Sequence, residues 1–142
     1  MTFPAMSELV PHVAPMLAVE ALREWEPGRA RASALVRATS PLAHRGFVDG
    51  CALLEYMAQT VAACLGYEAY RGGDGVRVGM VIACRRMVVH RARIDVGEAL
   101  DLRVARVRGS DFVSHFEGTV HIGTELVAEA TMTLVHGDAP PE

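Results

Sequence analysis

Glu55 and Gln59 lie one helical turn apart in an apolar stretch of the chain, residues 49–70. The apolar side chains of this stretch recur at the spacing of one helical face, at Leu54, Met57, Ala58, Val61 and Leu65. Alanines and a cysteine occupy the other faces, so we expect a helix that is buried almost all round. A carboxylate in such a helix is costly unless it is paired or used for chemistry, which makes Glu55 the first candidate functional residue.

The ends of this helix are marked by residues that favour helix termini. Asp49 and Gly50 suit its start, as the capping residue and its neighbour in the first turn. Gly72 and Gly73 lie just past its end. About twenty residues that rise roughly 1.5 Å each form a rod on the order of 30 Å long. We therefore expect the other elements to be arranged around this helix.

Strands account for most of the remaining chain. Alternation of apolar and polar residues predicts half-buried strands in four segments: 29–37, 99–108, 112–122 and 126–135. Segment 77–94 is rich in β-branched residues and too long for one flat strand, so we expect one long bent strand or two strands that meet near Arg85 and Arg86. A single helix followed by a meander of strands predicts an α+β fold, with a curved antiparallel sheet wrapped around the helix.

Less regular structure is expected in the other segments. Two prolines four residues apart exclude an ordinary helix from residues 9–18, where we expect a turn and a short extended segment. Residues 39–48 predict a loop into the helix, and residues 1–8 and 137–142 predict loosely held termini. One helix cannot cover both faces of the sheet, and an exposed edge strand invites pairing, so we expect at least a dimer.

The composition limits the class of protein. The chain has 142 residues, enough for one domain with a core of its own. A hydrophobic share of 51% favours an oligomer, while a net charge of −3 and an isoelectric point of about 6.1 argue against nucleic-acid binding. Cys51, Cys64 and Cys84 lie in apolar runs without metal-ligand spacing, so we expect reduced core residues of a cytoplasmic protein. Neither a signal peptide nor a charge-free stretch of membrane length is evident, so no membrane association is expected.

Three motifs resemble a known family, and the similarity covers most of the chain. They are P-H-V-A-P-M-L-A-V-E at 11–20, G-C-A-L-L-E-Y-M-A-Q at 50–59 and C-R-R-M-V-V-H-R-A-R-I-D-V-G-E-A-L at 84–100. They resemble the hot-dog-fold 3-hydroxyacyl-ACP dehydratases, and most of all the dehydratases of aryl-polyene and related pigment lipids. The resemblance implies a hot-dog fold, a dimer with active sites at the subunit interface, and an acyl tunnel beside the central helix. It also implies dehydration of a 3-hydroxyacyl thioester without a metal, nucleotide or redox cofactor.

The resemblance also implies roles for single residues. In this family the histidine comes from the loop before the helix, and the carboxylate comes from the helix of the partner subunit. Glu55 matches the carboxylate that protonates the leaving hydroxyl, and Gly50 matches the glycine whose backbone N–H contacts the thioester carbonyl. The N–H of Cys51, the next residue, is a second candidate donor to that oxygen. The histidine usually stands fourteen residues before the acid, where this chain has Pro41. His44, eleven residues before the acid, is therefore the expected base that removes the C2 proton.

Three further residues are candidates for the site. Gln59 is expected to contact the substrate and to form hydrogen bonds inside the site or in the dimer interface. His12 belongs to the P-H-x-x-P segment, which is largely structural in the family, and is a second choice for a catalytic histidine. Arg85 belongs to a basic cluster in residues 85–93. This cluster is either a solvated face of the sheet or a docking surface for an acidic acyl carrier protein and the phosphate of its pantetheine arm.

Two other functions stay open from the sequence. One is a catalytically weak hot-dog subunit that pairs with a competent dehydratase and contributes Glu55, part of the tunnel wall or stability to a composite site. The other is a thioesterase on the same fold, because one carboxylate can activate water for attack on a thioester. The expected substrate carrier is acyl carrier protein or coenzyme A. The expected assembly is a homodimer, a larger homo-oligomer or a hetero-oligomer with another hot-dog subunit.

Overall fold

The computed structural model describes residues 2–73, 78–110 and 112–137. One long helix, α1 (Leu53–Arg71), separates two groups of strands along the chain. Before it come β1 (Ala21–Glu26), β2 (Arg29–Leu35), β3 (Ala43–His44) and β4 (Phe47–Asp49). After it come β5 (Val78–Val89), β6 (Arg93–Asp95), β7 (Ala99–Gly109), β8 (Val113–Ile122) and β9 (Glu125–Gly137).

Six of these strands form one antiparallel sheet, in the order β1-β2-β7-β8-β9-β5. Register shifts between Val81 and Ala83 and between Cys84 and Arg86 mark β-bulges, which bend β5 along its length. In segment 77–94 the long bent strand therefore ends at Val89, and Arg93 and Ile94 belong to a second strand, β6, so the break lies beyond the predicted position near Arg85 and Arg86. Strand β6 is separate, and it joins β3 and β4 in a small three-stranded sheet.

Helix α1 packs against the inner face of the six-stranded sheet. Its buried side chains include Tyr56 and Met57, and the facing side chains of the sheet include Leu102, Phe116 and Met132. Burial alternates along β2, β7 and β8, because successive side chains of a strand point to opposite faces. The predicted α+β architecture, one long helix against a curved antiparallel sheet, is confirmed.

The start of the helix differs in detail from the prediction. Gly50–Ala52 form a 3-10 turn that leads into α1, and the side chain of Asp49 makes no capping hydrogen bond. Asp49 ends β4 instead, and its Oδ2 lies 3.2 Å from Nε2 of His44 on the neighbouring strand. The carboxylate of Asp49, which was expected to cap the helix, therefore contacts His44 within the β3–β4 hairpin. The other end agrees with the prediction, since α1 ends at Arg71 and Gly72 follows it.

Two expectations about irregular segments are corrected. The loop 39–48 contains the hairpin β3–β4, because Arg45 and Gly46 adopt the positive φ values, 54° and 85°, that a two-residue hairpin turn requires. The N-terminal segment is not loose throughout: Met6–Glu8 form a 3-10 turn, and Met6 is 5% exposed because its apolar side chain joins the core. Gly137 ends β9, and residues 138–142 of the predicted loose tail lie outside the described residues.

The expectation of three core cysteines is wrong for two of them. Cys64 on α1 is buried, and this burial raises the pKa of its thiol to about 12, so it is not a reactive group. Cys51 is exposed in the 3-10 turn, and Cys84 is exposed on the edge strand β5. Both cysteines lie in apolar runs of sequence, but an apolar run does not show which of its side chains face the core.

An N-terminal segment, residues 9–19, crosses α1 and is called the strap here. Its residues Leu9, Val10 and Val19 are buried. Gly66 permits the close approach, because a Cβ at this position would overlap the backbone oxygen of Leu9. The strap continues from this crossing to His12, so the contact between helix and strap decides where that histidine lies.

Candidate active site

A cavity of about 210 Å³ lies along α1, between the helix, the strap and strands β5 and β9. It follows the helix from Glu55 to Leu65, about 15 Å at the helical rise per residue. Most of its wall is apolar and is formed by Ala58, Ala62, Leu65, Val81 and Leu134. The polar side chains of the lining are His12, Glu55 and His136. A narrow apolar cavity with few polar groups is the usual form of a small-molecule site.

Glu55 and His12 meet at one end of this cavity. Oε1 of Glu55 and Nε2 of His12 are 3.7 Å apart. The two side chains are 35% and 29% exposed, so both remain accessible to a ligand. Nδ1 of His12 is buried and has no hydrogen-bond partner among the described residues. Such an unpaired buried nitrogen is uncommon and marks this histidine as a functional candidate.

Gln59 holds Glu55 and the strap together. Its side chain is fully buried, and its Nε2 donates to Oε1 of Glu55 at 3.0 Å and to the carbonyl of Met16 at 2.8 Å. Its Oε1 accepts from the N–H groups of Ala18 and Val19, at 2.8 and 3.3 Å. Both amide hydrogens and both acceptor positions are thus occupied. These bonds hold Glu55 beside the strap, and the contact of Gln59 with the substrate stays a prediction.

His44 lies in another part of the subunit. It ends β3, with its Nε2 3.2 Å from Oδ2 of Asp49 and its ring centroid 4.6 Å from that of Phe47. It is not among the residues that line the cavity beside Glu55. Within one chain, His44 pairs with Asp49 and does not line the cavity that contains Glu55. The pairing of His44 and Glu55 across subunits stays a prediction.

The N–H of Gly50 is already bound within the chain. It donates to the carbonyl of Ala92 at 2.8 Å. A Cβ at this position would overlap the side chain of Val89 and the carbonyl of Arg91, so only glycine allows the helix start to approach β5 so closely. The N–H of Gly50 is thus engaged within the chain, and its contact with a thioester carbonyl stays a prediction. Cys51, the next residue, is exposed at the start of the helix.

Carboxylates neutralise much of the predicted basic cluster. Arg86 pairs with Glu129 at 3.2 Å, and Arg91 pairs with Glu98 at 2.6 Å. Of the two interpretations of the cluster, these ion pairs favour a solvated face of the sheet over a docking surface for a carrier protein. Arg85 is exposed on β5 and forms no ion pair with a described residue, so its contact with a carrier protein stays a prediction.

A larger groove of about 820 Å³ lies on the outer face of β1, β2, β7 and β8. Its charged side chains pair across strands: Arg31 contacts Glu24 at 3.2 Å and Asp101 at 2.9 Å. Partial burial opposes ionisation of Asp101, but hydrogen bonds from Arg103 and Arg31 outweigh it and lower the pKa of this carboxyl. The groove is therefore the surface of a structural ion network, and the acid–base candidates lie in the smaller cavity.

Two other kinds of site are not seen in the ranges that the structure describes. No group of three or more His, Cys, Asp and Glu side chains is arranged to hold a metal ion there. No described helix combines the length and the apolarity needed to cross a membrane.

Comparison with known proteins identifies the family. A family model described as ApeP-like, ApeP dehydratase, matches residues 4–141. The chain belongs to the ApeP-like dehydratase family. It is 31% identical over 135 residues to the 3-hydroxyacyl-[acyl-carrier-protein] dehydratase FabZ of Natranaerobius thermophilus, covering 91% of this chain and 92% of that protein. It is 29% identical over 132 residues to the FabZ of Variovorax paradoxus, covering 88% and 87%.

A solved structure shows the same fold for this dehydratase. The dehydratase heterocomplex ApeI:P from Xenorhabdus doucetiae matches with a TM-score of 0.90 at 18% identity, over 96% of this chain and 93% of that one. The hot-dog fold and the dehydratase family predicted from the three sequence motifs are thus confirmed. The chain is thus a hot-dog protein of a dehydratase family.

His12 lies beside Glu55 in the structure, although the sequence made it only the second choice for a catalytic histidine. Its P-H-x-x-P motif was interpreted as structural, and it stands more than forty residues before Glu55. The strap brings the two together, because its backbone is bound to Gln59 on the same helical face as Glu55. The motif itself was the available signal. His136, which also lines the cavity, had no signal in the sequence beyond its residue type.

Proposed function

We propose that this dehydratase removes water from a 3-hydroxyacyl thioester on acyl carrier protein and releases the trans-2-enoyl thioester. The observation that carries the proposal is the meeting of His12 and Glu55 at one end of an apolar cavity beside α1. An acyl chain suits this cavity because the wall offers mainly methyl and methylene groups. The FabZ relatives are named for carrier-protein substrates, which supports the same carrier here.

The proposed reaction uses the two side chains as base and acid. Neutral His12 takes the C2 proton on Nε2, and the electrons of that C–H bond form the C2=C3 double bond. The C3–O bond breaks as Glu55 donates its carboxyl proton to the departing hydroxyl, which leaves as water. Because Gln59 donates a hydrogen bond to Oε1 of Glu55, we expect the transferable proton on Oε2. The proton left on His12 then returns to Glu55 through water.

The enolate oxygen that develops during proton removal needs a hydrogen-bond donor. We assign this role to the N–H of Cys51, because the N–H of Gly50 is bound to Ala92. The first turn of a helix presents N–H groups that have no partner within the helix, and these suit a developing oxyanion. Cys51 stands in this turn and is exposed.

We also propose that a second hot-dog subunit covers the site. Gly79 and Val81, which line the cavity, belong to β5 at the edge of the sheet. Met80 and Ile82, on the same strand, are 59% and 54% exposed. An apolar edge strand is normally covered by pairing. The ApeI:P structure is described as a heterocomplex, so the second subunit is either a copy of this chain or a related dehydratase chain.

We expect the enzyme to act in the cytoplasm. The thiols of Cys51 and Cys84 are exposed, and the structure describes all three cysteines as free. Exposed thiols persist in the reduced state in the cytoplasm and tend to be oxidised outside it.

The test is a mass-spectrometric assay of the purified chain on a 3-hydroxyacyl carrier protein. Loss of water from the intact thioester is the expected result. Glu55→Gln and His12→Ala should each lower the rate by roughly 10²- to 10⁴-fold, the usual contribution of a positioned acid or base. His44→Ala is the matched control and should keep the wild-type rate.

Other outcomes would contradict specific parts of the proposal. A rate that falls in His44→Ala and not in His12→Ala would replace His12 by His44 from a neighbouring subunit. Release of free acid and free thiol would identify a thioesterase. A folded chain that removes no water alone, but restores activity to an inactive related hot-dog subunit, would identify it as the carboxylate-donating member of a composite enzyme.

A further inference from the structure

A second buried histidine lines the cavity. His136 on β9 is 7% exposed, and its Nε2 lies 2.9 Å from Oγ of Ser114, a fully buried residue of β8. The backbone N–H of His136 donates to the carbonyl of Phe112 at 2.9 Å. The hydrogen bond to Ser114 orients the ring, and the backbone bond secures the strand that carries it. The imidazole is therefore a fixed part of the cavity wall.

The register of β5 places His136 at the far end of the cavity from Glu55. Val89, the last residue of β5, touches Gly50 beside the start of the helix. Gly79, ten residues earlier, pairs with His136. Ten residues of strand extend roughly 33 Å, so this pair lies toward the far end of α1. Glu55 lies in the first turn of α1.

We propose that His136, held by Ser114, is the stop that sets the longest acyl chain the cavity accepts. The inference rests on the proposed function, which assigns this cavity to the acyl chain. Gly79 on β5 is the residue paired with His136 on β9, and it has no side chain. The imidazole of His136 is therefore the only bulky group that this residue pair places at the end of the cavity. The Oγ of Ser114 and the Nε2 of His136 are hydrogen-bonded to each other. The apolar end of an acyl chain can therefore pack against the ring without leaving either atom unpaired.

The outer face of the same two strands offers a matched control. Nδ1 of His115 on β8 lies 3.0 Å from Oγ1 of Thr133 on β9, so this is another histidine–hydroxyl pair across β8 and β9. His115 follows Ser114 directly, and neighbouring residues of a strand point to opposite faces. His115 is not among the residues that line the cavity. Its replacement should affect strand pairing without changing the space for the acyl chain.

The experiment measures kcat/KM for saturated 3-hydroxyacyl carrier-protein thioesters whose lengths increase by two carbons. His136→Ala should raise the ratio of long-chain to short-chain kcat/KM by roughly tenfold or more, the effect of a methylene fitted into an apolar pocket. His136→Phe, which fills more space, should shift the preference to shorter chains. Ser114→Ala should broaden the preference because the ring is no longer held. His115→Ala should keep the wild-type profile.

An unchanged length profile in both His136 variants would overturn the inference, and so would an equal shift in His115→Ala. If His136→Ala does not fold, as judged by circular dichroism, the His136→Phe and Ser114→Ala profiles decide. Binding of 3-hydroxyacyl-pantetheine thioesters to Glu55→Gln, measured by calorimetry, gives the length profile without turnover. If no substrate of any length loses water, the proposed function is contradicted. The dependence of binding on acyl length would still test the role of His136.

Discussion

Gln59 links the carboxylate of Glu55 to the strap through a single buried amide. The amide bonds three backbone groups of the strap as well as the carboxylate, so a change at this residue disturbs both sides of the site together. A buried group left without its partner costs free energy, and the partners of Gln59 would be left unpaired by any apolar replacement. We therefore regard Gln59 as a positioning residue that acts through Glu55 and the strap.

We predict that Gln59→Leu lowers kcat on the carrier-protein substrate by roughly ten- to hundredfold, because Glu55 loses its fixed position. The free energy of unfolding should fall by about 1–3 kcal/mol for the unpaired backbone groups. Gln59→Glu should instead alter the pH profile of kcat, because it places a second carboxyl group beside Glu55. Steady-state kinetics over a pH range and urea denaturation give these quantities.

The control for Gln59 is another buried polar residue of the same helix. Thr60 is fully buried, and its hydroxyl donates to the carbonyl of Tyr56 at 2.9 Å, away from Glu55. Thr60→Val should change stability and leave kcat and its pH profile near the wild-type values. Equal losses of kcat in the Thr60 and Gln59 variants would mean that both act through the stability of the helix.

The contact between strap and helix depends on the absence of a side chain at Gly66. Glycine inside a helix usually costs about 1 kcal/mol relative to alanine. Here the backbone oxygen of Leu9 occupies the space of the missing Cβ. Backbone atoms cannot swing aside as a flexible side chain can, so the strap as a unit would have to move away from α1. His12 would move with it.

We predict that Gly66→Ala lowers the free energy of unfolding by roughly 1–3 kcal/mol, the usual cost of forcing extra atoms into a packed contact. This is the opposite sign to the usual effect of replacing glycine by alanine in a helix. Activity should fall as well, because His12 leaves Glu55. Urea denaturation and the water-loss assay measure the two effects. A more stable and fully active variant would show that the strap does not pack on the helix in this way.

We propose that the edge of the sheet decides how subunits associate. Strand β5 is twelve residues long, stands at the edge and exposes Met80, Ile82 and Val89. From the strap, Val13 is 71% exposed and adds apolar surface near the same site. Long apolar edge strands invite another strand unless charges prevent it. The cavity lined by β5 would then be covered by the second subunit.

We predict that Ile82→Lys weakens the association of subunits, because a charge on an edge strand opposes strand pairing. Light scattering coupled to size-exclusion chromatography should show a shift toward monomer and, with it, a loss of dehydratase activity. Val107→Lys is the control, since Val107 is equally exposed, at 56%, but lies on β7 inside the sheet. A monomeric wild type with full activity would contradict a role for the edge.

The local pattern of residues was sufficient to predict the helix, the alternating strands and the fold class. These features depend on periodicity within one segment: a period near 3.6 for residues 49–70 and a period of two for segments such as 99–108. The family also followed from contiguous motifs, above all the one at 50–59. The hairpin in 39–48 was missed because it depends on two residues with positive φ, one of which is Arg45.

The residues of the candidate site are brought together by contacts between segments far apart in the chain. His12 reaches Glu55 because a buried glutamine binds the strap, and no periodicity in either segment contains that information. The N–H of Gly50 was expected to be free, but the carbonyl of Ala92 occupies it, because packing brings β6 and the helix start together. Sequence patterns report which side of an element is apolar, whereas the hydrogen-bond partner of a given group depends on how distant elements pack.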